Sequence, residues 1–251
     1  MISSRENRRN IVRNHFMEAQ SRAALGGSIE LHNLKLPGVS GNYANTPDTA
    51  GNSITGDMEV RALVALYDWT PGAAMTIMAK NAGANQLSWR FGVDTSGNLT
   101  YAWSTLGVAF VVTKTSTSAV VAGDGQKIWV RVTMDVDNGA AGNDGAFYTS
   151  TTYNPDTNQG TWSQLGTTVT TATATSIFDS TSILELGSET TGTGNLLNGR
   201  IYRAQLYSGI NGTLIADFNV ESAKRDAATF TATTGEVWTI TSTGANPAHI
   251  A

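Results

Sequence analysis

The sequence contains no cysteine, and this absence removes several kinds of chemistry at once. Disulfide bonds, thiolate metal ligands and cysteine nucleophiles are all excluded. Histidine is nearly as rare: His15 and His32 lie near the N-terminus and His249 lies near the C-terminus. Because none of them falls within the long part of the chain that alternates like strands, we expect no Ser–His–Asp triad there.

Long apolar runs are also missing. No stretch reaches the roughly 18 consecutive apolar residues of a transmembrane helix, so we expect no membrane partner. The N-terminal residues are charged and lack the apolar centre of a secretory signal. The glycines of "GVSGNYANTPDTAG" come without the lysine of a phosphate-binding loop.

Charge is scarce and unevenly distributed. Charged residues make up 14% of the chain, below the usual quarter, and the net charge is −4. Residues 1–27 hold five arginines and two glutamates, a net charge of +3, which leaves −7 for the remainder. A basic leader on an acidic body indicates that the leader has a partner of its own.

The leader predicts an N-terminal helical arm. Ser3 and Glu6 have the spacing of a capping box, and Gly26-Gly27 provides a stop, so we expect a helix over residues 3–25 within an arm of residues 1–27. The helix either packs on its own domain or docks on a partner or on copies of itself. The candidate docking residues are Arg5, Arg8, Arg9, Arg13 and Phe16. Because no aromatic platform accompanies the arginines, a protein partner is favoured over nucleic acid.

The rest of the chain is typical of β-structure. Residues 28–53 are dense in turn formers and are predicted to be a linker or wrapping segment. From residue 54 to 251 the pattern has period two: Val60, Ala62 and Val64 lie on one face of a strand, with Glu59 and Arg61 on the other. About a dozen such short strands predict an antiparallel sandwich.

The order of these strands carries a resemblance over residues 54–242. The ordered series of strand segments resembles the laminin G-like branch of the concanavalin A-like jelly rolls. The segments are "GDMEVRALVAL", "MTIMAKN", "WRFGVDTSGNLTYAWS", "KIWVRVTMDVDNG", "ILELGS" and "LNGRIYRAQLYSG". The resemblance implies an all-β, antiparallel jelly-roll sandwich, to which the arm is added.

A narrower resemblance concerns "VRVTMDVDNGAAGNDGAFYTS", "GRIYRAQLYSGINGTLIADF" and "TGEVWTIT". These segments are similar to domains common in structural proteins of tailed bacteriophages. This implies a virion protein on the particle surface, assembled in the bacterial host cytoplasm, whose partners are other capsid or tail proteins. Since virion proteins follow the symmetry of the particle, we expect a homo-oligomer.

Enzymatic and metal sites have weak support in the sequence. The Glu-x-Asp-x-x-Glu strand of jelly-roll glucanases is absent, and Asp135 and Asp137, which share a strand face, run into a turn. We therefore expect no catalytic residue and no cofactor. The laminin G resemblance leaves one metal hypothesis open, a calcium ion at Asp135, Asp137, Asn143 and Asp144. The alternative is that these are solvated turn residues.

Tryptophans offer the candidate sugar contacts. Trp89 and Trp103 alternate with core residues and are predicted to be buried. Trp129 falls opposite a core row and Trp162 follows a turn, so these two are the better candidates for exposure and for a glycan contact. The alternative is that both cover the second face of a sheet.

The sequence thus predicts a non-enzymatic virion structural protein, a capsid decoration or tail-surface protein that displays a lectin-like domain through its N-terminal arm. One alternative is a carbohydrate-binding adhesin module for host-surface glycans. A glycanase without a recognisable site is a further alternative.

Overall fold

A computed structural model describes residues 32–83, 85–110, 112–245 and 247–251. The predicted helix at residues 3–25 and its docking residues Arg5, Arg8, Arg9, Arg13 and Phe16 lie outside these ranges. The compact unit spans His32–Ala251.

Within the described ranges the chain forms seventeen strands and one short 3-10 helix, Val220–Ser222. The strands are β1 (Leu34–Pro37), β2 (Tyr43–Thr46), β3 (Met58–Leu66), β4 (Met75–Asn81), β5 (Leu87–Val93), β6 (Asn98–Trp103), β7 (Val112–Ala119), β8 (Ile128–Asp135), β9 (Gly142–Ser150), β10 (Ser163–Gln164), β11 (Val169–Ala172), β12 (Leu184–Leu186), β13 (Asn198–Ser208), β14 (Thr213–Asn219), β15 (Thr229–Thr231), β16 (Val237–Thr241) and β17 (His249–Ile250).

The strands form two sheets. The nine-stranded sheet has the order β10-β9-β8-β3-β13-β1-β17, with β11 also paired to β9 and β14 to β13. The eight-stranded sheet has the order β15-β16-β2-β12-β4-β5-β6-β7. Neighbouring strands are antiparallel throughout the described ladders. The all-β antiparallel sandwich predicted from the alternation is therefore confirmed.

The core lies between the sheets and is built by alternate side chains. Val60, Ala62 and Val130 of the nine-stranded sheet are inaccessible to solvent. On the eight-stranded sheet Trp89 and Trp103 are also fully buried, as predicted, and both rings stack on Tyr101 with centroids 6.3 and 5.9 Å away. Large buried aromatic rings give a core of this kind much of its apolar area.

The segment predicted to be a linker or wrapping segment holds two strands of the sandwich. Residues 28–53 include β1, which lies between β13 and β17, and β2, which lies between β12 and β16, so the segment contributes a strand with two neighbours to each sheet. Leu34 and Leu36 are fully buried. The turn formers Pro37, Gly38 and Gly41 mark the crossing from one sheet to the other, since Gly38 and Gly41 have φ angles of +69° and +79°. The dense turn signals therefore reflect a tight crossing between two short strands.

No helix in the described part of the chain has the length and apolar content that crossing a membrane requires.

Candidate functional site

A polar and aromatic cluster occupies the outer face of the nine-stranded sheet. Because Val60 and Val132 point into the core, their neighbours Glu59, Arg61 and Arg131 project from the opposite face. Arg61 and Arg131 are register partners across β3 and β8. Two like charges directly opposite each other are destabilising, so this face requires a counter-charge.

Glu59 supplies that counter-charge. Its Oε1 accepts a hydrogen bond from Arg61 Nε, and its Oε2 accepts one from Arg131 Nη2 at 2.8 Å. The backbone N–H of Asn211 donates to the same Oε2 at 3.0 Å. Glu59 and Arg61 have side-chain exposures of 0% and 2%. Charges this deeply buried are tolerated because they are paired and hydrogen-bonded.

Two asparagines from neighbouring loops complete the contacts to the guanidinium groups. Asn158 Oδ1 accepts from Arg61 Nη1 at 2.8 Å, and Asn211 Oδ1 accepts from Arg131 Nη2 at 3.0 Å. Both asparagines are exposed and have left-handed backbones, with φ of 52° and 53°. Asparagine tolerates this conformation better than most residues, which allows the loops to direct amide oxygens at the arginines.

Aromatic rings enclose the arginines. Trp129 meets Tyr153 edge-on at 5.0 Å and Trp162 at 6.4 Å, while Tyr153 and Trp162 are 4.8 Å apart. The Arg131 guanidinium lies 4.8 Å from the centre of the Tyr148 ring and 5.5 Å from that of Trp162. These distances are in the range of cation–π attraction. We call the set Glu59, Arg61, Trp129, Arg131, Tyr148, Tyr153 and Trp162 the arginine–aromatic cluster.

The cluster carries a net charge of +1, since two guanidinium groups face one carboxylate. Burial lowers the pKa of Arg61, but the charge and hydrogen bond of Glu59 outweigh it and raise that pKa above the ordinary value. Burial raises the pKa of the adjacent Tyr207 phenol, which therefore stays neutral. Arg131 Nε is buried without a hydrogen-bond partner among the described residues.

The two predicted sugar-contact residues are brought together, but their exposures differ. Trp129 lies on the outer face of the sheet, as its position in the pattern indicated, yet only 4% of it is exposed. Residues 151–162 fold over it, with Tyr153 against its ring. The expectation that Trp129 is exposed is therefore wrong, and it covers the second sheet face instead. Trp162 is half-buried and keeps an accessible surface.

The sequence interpretation overlooked Glu59, Arg61, Arg131, Tyr148 and Tyr153 as site residues. A signal was present for the charged ones, because "EVR" in β3 and "VRV" in β8 place charge between apolar residues in strands that pair with each other. The tyrosines gave no such signal.

Asp135 and Asp144 of the calcium hypothesis are register partners across β8 and β9, but the four residues do not form one site. Asn143 and Asp144 are consecutive in β9 and therefore point to opposite faces. Asn143 is buried and donates through Nδ2 to Thr173 O at 2.8 Å, whereas Asp144 accepts from Thr170 Oγ1 at 2.6 Å. Asp135 accepts the N–H of Asp137 at 3.1 Å. Within the described ranges no group of three or more histidine, aspartate or glutamate side chains is arranged to hold a metal.

No protein-family model matches the sequence, and no curated protein matches it either. Solved structures resemble the fold distantly. The Ruminococcus gnavus IT-sialidase CBM40 bound to alpha2,3 sialyllactose is 10% identical, with a TM-score of 0.45 over 68% of this chain and 90% of that one. Mouse laminin alpha1 domains LG4-5 are 12% identical, with a TM-score of 0.46 over 76% of this chain and 46% of that one. The enzymatically active domain of bacteriophage CBA120 tailspike protein 2 is 13% identical, with a TM-score of 0.37 over 74% of this chain and 30% of that one. Likeness at this level assigns neither a family nor a function.

Proposed function

We propose that the His32–Ala251 unit is a non-enzymatic carbohydrate-binding module with a jelly-roll fold and that the arginine–aromatic cluster is its glycan site. The observation that carries this proposal is the half-buried Trp162, whose ring is held against Trp129 and Tyr153 and lies 5.5 Å from the Arg131 guanidinium. An aromatic face beside fixed hydrogen-bond donors suits a sugar ring, which has both apolar C–H faces and polar hydroxyl groups.

Rigidity of the site supports the same function. Trp162 is fixed by two other rings, and the loop asparagines Asn158 and Asn211 are fixed by the arginines. A ligand that meets side chains already held in place loses less binding free energy to the ordering of those side chains. The exposed asparagine amides offer further hydrogen-bonding groups at the edge of the cluster.

The net charge of +1 favours acidic over neutral glycans. A positive site surrounded by low-dielectric aromatic rings attracts a carboxylate or sulfate group more strongly than a neutral hydroxyl.

The contacts of Glu59 support a binding role without catalysis. Its two oxygens accept hydrogen bonds from Arg61, from Arg131 and from the backbone of Asn211. A general acid must hold a proton and a general base must have a free lone pair directed at the substrate. Both oxygens of Glu59 are already engaged by these donors, so neither is directed at a substrate.

A glycan array followed by calorimetry with the full chain tests the proposal. We expect binding to acidic oligosaccharides, an affinity loss of at least about tenfold in Trp162→Ala, and a smaller loss in Trp162→Phe. Phe178→Ala is the matched control, because Phe178 is a half-buried aromatic outside the cluster and should leave binding unchanged. Incubation with the bound glycan should release no new reducing ends. Binding that is indifferent to Trp162→Ala would contradict the site, and absence of glycan binding would contradict the function.

The particle role inferred from the sequence remains a prediction, because residues 1–27, which would carry it, lie outside the described part of the chain. In this view the module is displayed on a bacteriophage virion and its partners are other virion proteins. Imaging of particles with and without residues 1–27 tests this prediction. Density at the capsid or tail surface should disappear on deletion, and a chain that is never found in particles would refute it.

A further inference from the structure

A second polar group lies away from the glycan site and surrounds Lys80 of β4. The Lys80 side chain is fully buried. Its Nζ contacts the carboxylate of Asp48, and it donates to Asn52 Oδ1 at 3.1 Å and to the backbone oxygen of Ser182 at 2.9 Å. The buried lysine nitrogen thus meets a partly exposed acid and a buried side-chain amide.

The side-chain amide of Asn52 is itself fixed. Asn52 is only 1% exposed, and its Nδ2 donates to Pro47 O at 3.0 Å. The backbone N–H of Thr49 donates to Asn52 Oδ1 at 3.2 Å, which is the oxygen that Lys80 also contacts. The Thr49 N–H stays in place when Lys80 reacts, and it would stabilise negative charge on that oxygen.

The distance between the reacting atoms is short. Lys80 Nζ is 3.1 Å from Asn52 Oδ1, and a C=O bond is about 1.23 Å long, so Nζ lies at most about 4.3 Å from Cγ. A shift of about 1 Å by the flexible lysine side chain reaches the separation of roughly 3–3.5 Å at which two groups react.

The environment also activates the amine. Burial lowers the pKa of Lys80, which increases the share of the neutral, nucleophilic form. The carboxylate of Asp48 is next to Nζ and is 30% exposed, so it can accept a proton from the amine and exchange protons with solvent.

We propose that Lys80 and Asn52 join spontaneously in an intramolecular isopeptide bond, with Asp48 as the acid–base group. Lys80 transfers a proton to Asp48, and the lone pair of Nζ then forms a bond to Asn52 Cγ while the carbonyl electrons move to Oδ1. The attacking nitrogen Nζ then gives up a second proton, and the proton held by Asp48 passes to Nδ2. The electrons on Oδ1 re-form the C=O bond as the Cγ–Nδ2 bond breaks, and the electron pair of that bond leaves with Nδ2. The product is one amide between the two side chains, and the released ammonia carries away the remaining proton as ammonium.

The surroundings suit the product as well as the reactants. The new amide nitrogen keeps one N–H, and the Ser182 oxygen that accepts from Nζ at 2.9 Å can accept from it. The Thr49 N–H can continue to donate to the carbonyl oxygen. A buried amide with both its donor and its acceptor satisfied is more stable in an apolar interior than a buried ammonium group.

The mass of the purified, folded full chain tests the proposal directly. We expect an intact mass lower than that of the sequence by one ammonia molecule. Succinimide formation at an asparagine also removes ammonia, so the link must be located by tryptic digestion. Trypsin should yield peptide 36–61 joined to peptide 62–90, with Lys80 uncleaved. A folded chain whose digest contains free peptides 36–61 and 62–80, even after prolonged incubation, would overturn the proposal.

Three variants separate the chemistry from folding. Lys80→Arg and Asp48→Asn should keep a folded chain by circular dichroism but abolish the linked peptide. In Lys114→Arg the link should persist, because Lys114 is similarly buried but hydrogen-bonds to two backbone oxygens and a threonine hydroxyl and lies over the Trp103 ring, with no side-chain amide among these partners. A linked peptide that survives in Asp48→Asn at the wild-type rate would refute the role of Asp48. The intact mass of the wild-type chain together with its tryptic digest decides whether the bond exists, whether or not a variant folds.

Discussion

Arg203 and Asp217 form a bidentate ion pair across the β13–β14 hairpin. Arg203 Nε donates to Asp217 Oδ1 at 2.8 Å, and Nη2 donates to Oδ2 at 2.6 Å. The remaining nitrogen, Nη1, donates to Asp156 at 2.6 Å. The two aspartates differ sharply in environment, since the side chain of Asp217 is 2% exposed and that of Asp156 is 75% exposed.

This difference predicts unequal effects of removing each acid. Asp217→Ala leaves a largely buried guanidinium without its main partner, and we expect a loss of about 3–5 kcal/mol in the free energy of unfolding. Asp156→Ala removes an exposed partner and should cost at most about 1 kcal/mol. Urea denaturation of both variants measures the difference. Equal costs would show that burial does not decide the strength of this pair.

The two tryptophans of the glycan site should separate stability from binding. Trp129 is buried under residues 151–162, so Trp129→Ala should lower the free energy of unfolding by about 3–5 kcal/mol. Trp162→Ala should lower the free energy of unfolding by less than half as much, because the Trp162 ring is half-buried. The same substitution should remove the glycan contact. Thermal unfolding beside calorimetric titration distinguishes the two roles. A stable Trp129→Ala chain would contradict the packing described here.

Gly187 is expected to be intolerant of any side chain. Its φ angle is +82°, and a Cβ atom there would lie 2.3 Å from Cδ1 of the buried Leu36. Gly187→Ala should combine backbone strain of about 1–2 kcal/mol with overpacking of about 1–3 kcal/mol. Gly235→Ala is the control, because Gly235 has a φ of +102° with no atom within 4 Å of its Cβ position. If both variants lose the same stability in urea, the contact with Leu36 is not the cause.

Glu185 should make the stability depend on pH. Its carboxylate accepts hydrogen bonds from Ser188 Oγ, Thr191 N and Gly192 N, but burial outweighs them and raises its pKa above the ordinary 4.5. The folded chain therefore holds this proton more tightly than the unfolded chain does. The resulting stability is fully present below pH 4.5 and is lost as the pH rises through the folded pKa.

Replacement of Glu185 by glutamine removes the titrating proton. Relative to wild type, Glu185→Gln should gain stability as the pH rises above 4.5, by about 1.4 kcal/mol for every tenfold by which folding tightens the binding of this proton. Unfolding free energies of both chains across the range from pH 4 to about pH 7 measure this difference. A difference that stays constant with pH would show that the pKa of Glu185 is not raised.

The sheet faces could be predicted from the sequence because they follow from strand geometry alone. Val60 and Glu59 lie on opposite faces in any extended chain, whatever surrounds them. The burial of Arg61 and Trp129 could not be predicted in this way. This burial depends on residues 151–162, which follow β9 and fold back over the sheet. No local pattern in β3 or β8 indicates that another segment covers these side chains.

The role of residues 34–46 was missed for a related reason. Leu34 pairs with Ile201 and Leu186 pairs with Ala44, so the partners of both strands lie more than a hundred residues away. Local composition indicates where the turns lie, but it does not indicate which distant strands pair with β1 and β2. The carboxylate and amide partners of Lys80 were hidden in the same way, because Asp48 and Asn52 belong to the segment that was predicted to be a linker.

The two terminal strands of the folded unit pair with each other, Leu34 with Ile250, and Asn33 and Ala251 exchange backbone hydrogen bonds beyond them. Because the pairing is antiparallel, the chain enters and leaves the unit at the same point. Tension applied between residues 32 and 251 would therefore break these hydrogen bonds one after another in an unzipping geometry. In a shearing geometry they would all bear the load together. The unit should release β17 at low force when it is stretched by its two ends, while the longer β13 ladder stays intact.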